Sequence, residues 1–175
     1  RLFLANLKNR EIPFLESYEK NYQYNFSNKT IKKFYKYKNI VVIGMGGSIL
    51  GTKSIYSFLK NKIKKNVFFL DNLDPDLILN CKKFINKKNS CFIVVSKSGN
   101  TLETITNLAS IESKSLLKNK LVFITEIAEN GLVEIANKYK DKSIKIFFVS
   151  FSLLIIIPPL KYSIHLSCVQ LKKKN

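Results

Sequence analysis

The run Ser96-Lys97-Ser98-Gly99-Asn100-Thr101 follows directly on the apolar stretch Cys91–Val95 and leads into a stretch of helical periodicity. It gathers hydroxyls, an amine and a glycine: many hydrogen-bond donors with little bulk. Donors of that kind at the start of a helix suit an anion, and phosphate is the usual one. A second such run, Gly44-Met45-Gly46-Gly47-Ser48, follows the apolar stretch 39–43 in the same way. It has glycines at the first two places of G-x-G-x-x-G but Ile49 at the third, and Asp71 stands where a ribose-binding acid would, so a dinucleotide reading stays open. No G-x-x-x-x-G-K-[ST] pattern is present, which argues against nucleoside triphosphates. Either run alone reads more readily as an ordinary tight strand-to-helix turn; the pair points to a ligand.

Short β-branched and aromatic runs recur at 39–44, 67–71, 91–96, 121–125 and 144–150, apolar at successive positions as in strands covered on both faces. Helical patterns lie between them at 48–60, 75–87, 101–118 and 130–139. Asp74 before Pro75 is a strong start signal, an N-cap acceptor followed by a residue whose missing N–H costs nothing at the first helical position. Right-handed crossovers turn this alternation into an α/β fold: a three-layer αβα sandwich around a five-stranded parallel, flavodoxin-like doubly wound sheet. In a 2-1-3-4-5 strand order, the two glycine-containing loops leave neighbouring strands at the point where the order reverses, which is where such sheets bind ligands. Residues 1–38 are polar and aromatic without a clear period and are expected to form an N-terminal helical arm and linker, ahead of a ligand-binding domain at 39–150.

The 175 residues carry 30 Lys+Arg against 12 Asp+Glu, a formal charge of +18. The excess is nearly all lysine, in runs such as KTIKKFYKYKN and KNKIKKN that fall on the expected loops and outer helix faces. A solvated basic surface is favoured over a nucleic-acid site, because no arginine stripe or recognition-helix pattern accompanies the charge. Cys81, Cys91 and Cys168 are widely spaced and odd in number, matching neither a metal pattern nor a disulfide framework, so a reducing, cytoplasmic setting is expected. The most apolar tract, from Ile146 to Ile157, stops at Pro158-Pro159, short of the ~20 residues a membrane helix needs.

The stretch VVIGMGGSILGTKS, followed by FIVVSKSGNTLETITNL, resembles the first sugar-isomerase (SIS) domain of the glucose-6-phosphate isomerase family over about residues 39–150. The resemblance implies sugar-phosphate ligands, glucose 6-phosphate and fructose 6-phosphate, with no cofactor and no metal. It assigns Gly47 and Ser48 to the sugar side of the site. Ser96, Lys97, Ser98 and Thr101 fall to the phosphate, Gly99 and Asn100 to the shape of that loop, and Thr104 to its support. Many family members read Ser-Lys-Thr-Phe-Thr-Thr here, so SKSGNT keeps the hydroxyl positions with shorter side chains. For a full-length protein the resemblance implies a homodimer.

The family's acid–base groups, a glutamate, a histidine and a lysine, belong to parts of the sequence beyond this one, so no catalytic residue is assigned in this chain. His165 is the only histidine and precedes the place of the family's second domain. Glu103 falls in the first turn of a helix, where a carboxylate suits the dipole better than it suits proton abstraction. The tail 151–175 is atypical: Lys161-Tyr162-Ser163 faintly echoes the family's Gly-Gly-Arg-(Phe/Tyr)-Ser motif without its glycines. A truncated or locally frame-shifted reading frame is expected, against a genuine terminal strand and lysine-rich tail. The alternative function is a stand-alone phosphosugar-binding regulatory module without isomerase activity.

Overall fold

A computed structural model of the chain describes residues 28–85, 89–111, 120–138 and 144–148. Helix α1 (Asn28–Lys32) precedes strand β1 (Asn39–Ile43); α2 (Gly47–Leu59) runs into a single 3₁₀ turn before β2 (Asn66–Leu70). Then come α3 (Pro75–Phe84), β3 (Ser90–Val95), α4 (Leu102–Ile111), β4 (Lys120–Thr125), α5 (Gly131–Lys138) and β5 (Ile144–Phe148). The strands form one five-stranded sheet in the order β2-β1-β3-β4-β5, parallel throughout. The α/β sandwich read from the periodicity is therefore the observed one. Its boundaries differ by one to three residues: β2 ends at Leu70, leaving Asp71 in the loop, and α3 ends at Phe84 where the pattern ran to 87. The expected continuations over 86–88, 112–119 and 149–150 lie outside the described residues, as do 1–27 and 151–175.

Strand alternation divides the core in two. Val41, Ile43, Phe92, Val94, Leu121 and Phe123 point to one face and pack with Cys81 of α3, Leu108 and Ile111 of α4, and Leu132 and Ala136 of α5. Ile40, Val42, Cys91, Ile93, Val95 and Val122 point to the other and pack with Ile49 of α2 and with Phe34 and Tyr37. β1 and β3 are buried at every position, which explains why their sequences run apolar rather than alternating. α3 begins as its start signal dictates, the Asp74 side chain accepting from the N–H groups of Asp76 (2.9 Å) and Leu77 (3.3 Å).

One lysine departs from the solvated surface expected of the basic runs. Lys65 is half-buried, and its ammonium donates to the carbonyls of Tyr35 (2.8 Å) and Tyr37 (2.5 Å), fastening the turn after α1 to the start of β2. Burial holds its pKa below the ordinary lysine value. None of the described helices is long and apolar enough to cross a membrane.

Candidate functional site

The two loops meet because β1 and β3 are hydrogen-bonded neighbours, with Ile43 opposite Val94. Gly44 leaves β1 so close to β3 that a Cβ on it would sit 2.8 Å from the Val95 carbonyl oxygen, so a side chain here would push the strands' ends apart. Gly46 has φ +50°, a left-handed conformation that favours glycine, and turns the chain into α2. Gly47 is the first residue of α2; it is exposed, and the space where a Cβ would lie is open. No side chain caps this helix, but the N–H groups of Ser48 and Ile49 donate to the carbonyls of Met45 (3.1 Å) and Gly46 (3.1 Å), so within this first turn the Gly47 N–H is the donor left without a partner among the described residues. Ser48 is half-buried one residue further on.

The second loop is more tightly built. Ser96 continues the ladder of β3, its N–H donating to the Ile124 carbonyl (3.1 Å), and its side chain is 1% exposed. The Ser96 Oγ accepts from the Gly99 N–H (3.1 Å) and lies 2.9 Å from the Thr101 Oγ1. The Ser98 Oγ accepts from the Asn100 N–H (3.2 Å). The N–H donors of Gly99 and Asn100 are thus spent on the serines that shape the turn and are not free for a ligand. Thr101 is half-buried, Lys97, Ser98 and Asn100 are exposed, and α4 starts at Leu102. The N–H groups of its first turn have no intrahelical partner. Thr104, one turn in, is 0% exposed, and its Oγ1 has no hydrogen-bond partner among the described residues.

The loop's remaining groups are tied to the segment after β4. The Lys97 carbonyl accepts from the Glu126 N–H (3.2 Å) and the Thr125 Oγ1 (3.3 Å), and the Lys97 ammonium lies 3.9 Å from a Glu126 carboxylate oxygen. The Gly99 carbonyl accepts from the Leu132 N–H (3.0 Å), and the Asn100 Oδ1 accepts from the Gly131 N–H (2.7 Å). Beneath Gly99, whose φ is +68°, lies the buried Asn130 amide, in the space a Cβ on Gly99 would need. Sequence reasoning missed Asn130. The only signal was Asn130-Gly131 at the start of a helical pattern, which marks a cap without saying what the cap touches.

Asp71 does not stand free as a ribose acid would. Its carboxylate pairs with the Lys53 ammonium on α2, beside a cavity of about 380 Å³ along β2 lined by Phe68, Phe69, Leu77 and Asn80 among others. Among the described residues no group of three or more His, Cys, Asp or Glu side chains could hold a metal ion. His165 and Lys161–Ser163 lie outside the described residues.

The family model for phosphoglucose isomerase matches residues 19–146. The chain is 47% identical over 93 residues to a glucose-6-phosphate isomerase of Methanocaldococcus jannaschii, covering 51% of this chain and 23% of that protein. It is 42% identical over 117 residues to the enzyme of that name from Borreliella burgdorferi, covering 57% of this chain and 22% of the relative. The crystal structure of a glucose-6-phosphate isomerase from Chlamydia trachomatis superposes with a TM-score of 0.53 at 26% identity, over 70% of this chain and 25% of that one. The chain thus spans about a quarter of the length of the proteins it matches.

Proposed function

This chain belongs to the phosphoglucose isomerase family, and from that premise we propose that it is the phosphosugar-binding part of a glucose-6-phosphate isomerase, which interconverts glucose 6-phosphate and fructose 6-phosphate. The observation that carries the reading is the joining of two donor-rich loops at the ends of adjacent strands β1 and β3, each opening a helix. The phosphate dianion lies against the loop Ser96–Thr101 and the first turn of α4, whose positive end favours it. With an anion beside Thr101, the Ser96 hydroxyl donates to the Thr101 Oγ1, and the Thr101 hydroxyl is left to donate to the phosphate. Lys97 adds a cation at the rim. The bare backbone of Gly47 and the hydroxyl of Ser48 lie on the sugar side, where any larger side chain at 47 would take the ligand's room.

Isomerisation moves a proton between C1 and C2 and needs a base poised over those carbons. A phosphate cup holds the substrate by its far end and leaves that chemistry to other groups, which by family resemblance would be a glutamate, a histidine and a lysine outside these residues. The chain therefore binds substrate and does not turn it over. Isothermal titration of the 175-residue chain with fructose 6-phosphate, NAD and a short DNA duplex tests this, together with a coupled assay for isomerase activity. Saturable binding of the sugar phosphate alone and no turnover is expected. Tighter binding of NAD or of the duplex, or robust turnover, contradicts the reading.

A further inference from the structure

We propose that the segment Thr125–Val133 is the positioning half of the phosphate site, and that Asn130 is the residue that sets the conformation of the loop; this rests on the reading of Ser96–Thr101 as a phosphate loop. A loop that receives a dianion must keep its own acceptors away from it, because a carbonyl turned toward a phosphate repels it. Three acceptors of this loop are turned instead onto the segment after β4. The Lys97 carbonyl takes the Thr125 hydroxyl and the Glu126 N–H, the Gly99 carbonyl takes the Leu132 N–H, and the Asn100 Oδ1 takes the Gly131 N–H. The N-terminal end of α5 thus absorbs acceptors from the back of the loop, while α4 offers donors at its front.

Gly99 is the weak point of this arrangement. Glycine reaches φ +68° without strain, but it also turns over readily, and a turned peptide would bring its carbonyl round to the ligand side. Asn130 prevents that by filling the space behind Gly99. Its amide is fixed at both ends: the Nδ2 donates to the Thr125 Oγ1 (3.2 Å) and the Ala128 carbonyl (3.2 Å), and the Oδ1 accepts from the Val133 N–H (3.1 Å) as the cap of α5. The side chain is buried and has no need to touch the ligand to set its affinity.

Asn130→Ser separates positioning from folding, since serine keeps an N-cap acceptor but is too short to back Gly99. We expect fructose 6-phosphate to bind the Asn130→Ser chain about five- to tenfold more weakly, on the order of one ordinary hydrogen bond, with a thermal midpoint lowered by the lost amide bonds to Thr125 and Ala128 but a cooperative unfolding transition retained. Amide hydrogen exchange on the unaltered chain provides a second readout: adding fructose 6-phosphate should slow exchange at Gly131 and Leu132, whose N–H groups bind the loop from behind. Unchanged affinity in Asn130→Ser, or exchange at Gly131 and Leu132 indifferent to ligand, overturns the proposal. If Asn130→Ser does not fold, the exchange measurement decides alone. Absence of binding by the unaltered chain would instead refute the phosphate-loop reading on which the proposal stands.

Discussion

The two hydroxyls at the heart of the proposed phosphate loop have different surroundings and should fail in different ways. Ser96 is buried and holds the Gly99 N–H, so Ser96→Ala strands a buried donor, at about 1–3 kcal/mol, and should lower both the thermal midpoint and ligand affinity. Thr101 is half-buried and its hydroxyl is bonded to Ser96 alone among the described residues, so Thr101→Ala should lower the midpoint less than Ser96→Ala does and weaken fructose 6-phosphate binding about tenfold or more, the loss of one charge-assisted hydrogen bond. Titration and thermal melts on the two variants check the contrast. The Lys97 ammonium and Glu126 form a partly exposed, loose ion pair at 3.9 Å. Such pairs are worth ~0–1 kcal/mol, so Glu126→Gln, which removes one carboxylate charge from beside Lys97 and the proposed phosphate, should tighten sugar-phosphate binding by up to about fivefold; weaker binding would show that Glu126 supports the loop rather than competing for its cation. At Gly47 the backbone is unstrained and a Cβ meets nothing. Gly47→Val should therefore fold normally and exclude the sugar, whereas a merely structural turn would show the reverse.

At the scale of elements, what the sequence made legible was whatever is written locally. β1 and β3 are buried on both faces, so their apolar runs mark them, and Asp74-Pro75 marks the start of α3 because capping chemistry is confined to three or four consecutive residues. Asp74→Ala should cost about 1 kcal/mol and lower the thermal midpoint without touching ligand affinity. What stayed hidden depends on residues far apart in the chain. Asn130 acts on Gly99 across thirty-odd positions, and nothing near either residue announces the other. Lys65 looks like any lysine of a basic run until β2 and the turn after α1 come together around it. Removing its ammonium in Lys65→Met should leave the carbonyls of Tyr35 and Tyr37 short of a donor and destabilise the fold by roughly 1–3 kcal/mol, measurable by chemical denaturation. The loop residues 96–101 were legible as a group, but their division of labour was not. Which donors are spent inside the turn and which remain for a ligand is fixed by the turn's geometry.

For the molecule as a whole, burial of Cys81 in the core beneath α3 pushes its thiol from an ordinary 9.0 up to about 12. The folded chain keeps this thiol protonated where the unfolded chain ionises it. The Cys81 contribution to stability is therefore undiminished below pH 9 and is lost as the pH rises from about 9 towards 12, the unfolded state's thiol binding fewer protons across that window. Alkylation of Cys81 at pH 8 should accordingly follow unfolding rather than thiol titration, as mass spectrometry at graded denaturant would show. The sheet order sets both donor-rich loops side by side at the ends of β1 and β3, while none of their residues lines the cavity along β2. The most direct test of that placement is an amide NMR titration of the chain with fructose 6-phosphate. The largest saturable shifts should fall on Gly46–Ser48 and on Lys97–Glu103, with smaller ones at Gly131 and Leu132 behind the loop. Shifts centred on Lys53, Asp71 and Asn80, or none that saturate, would contradict the account.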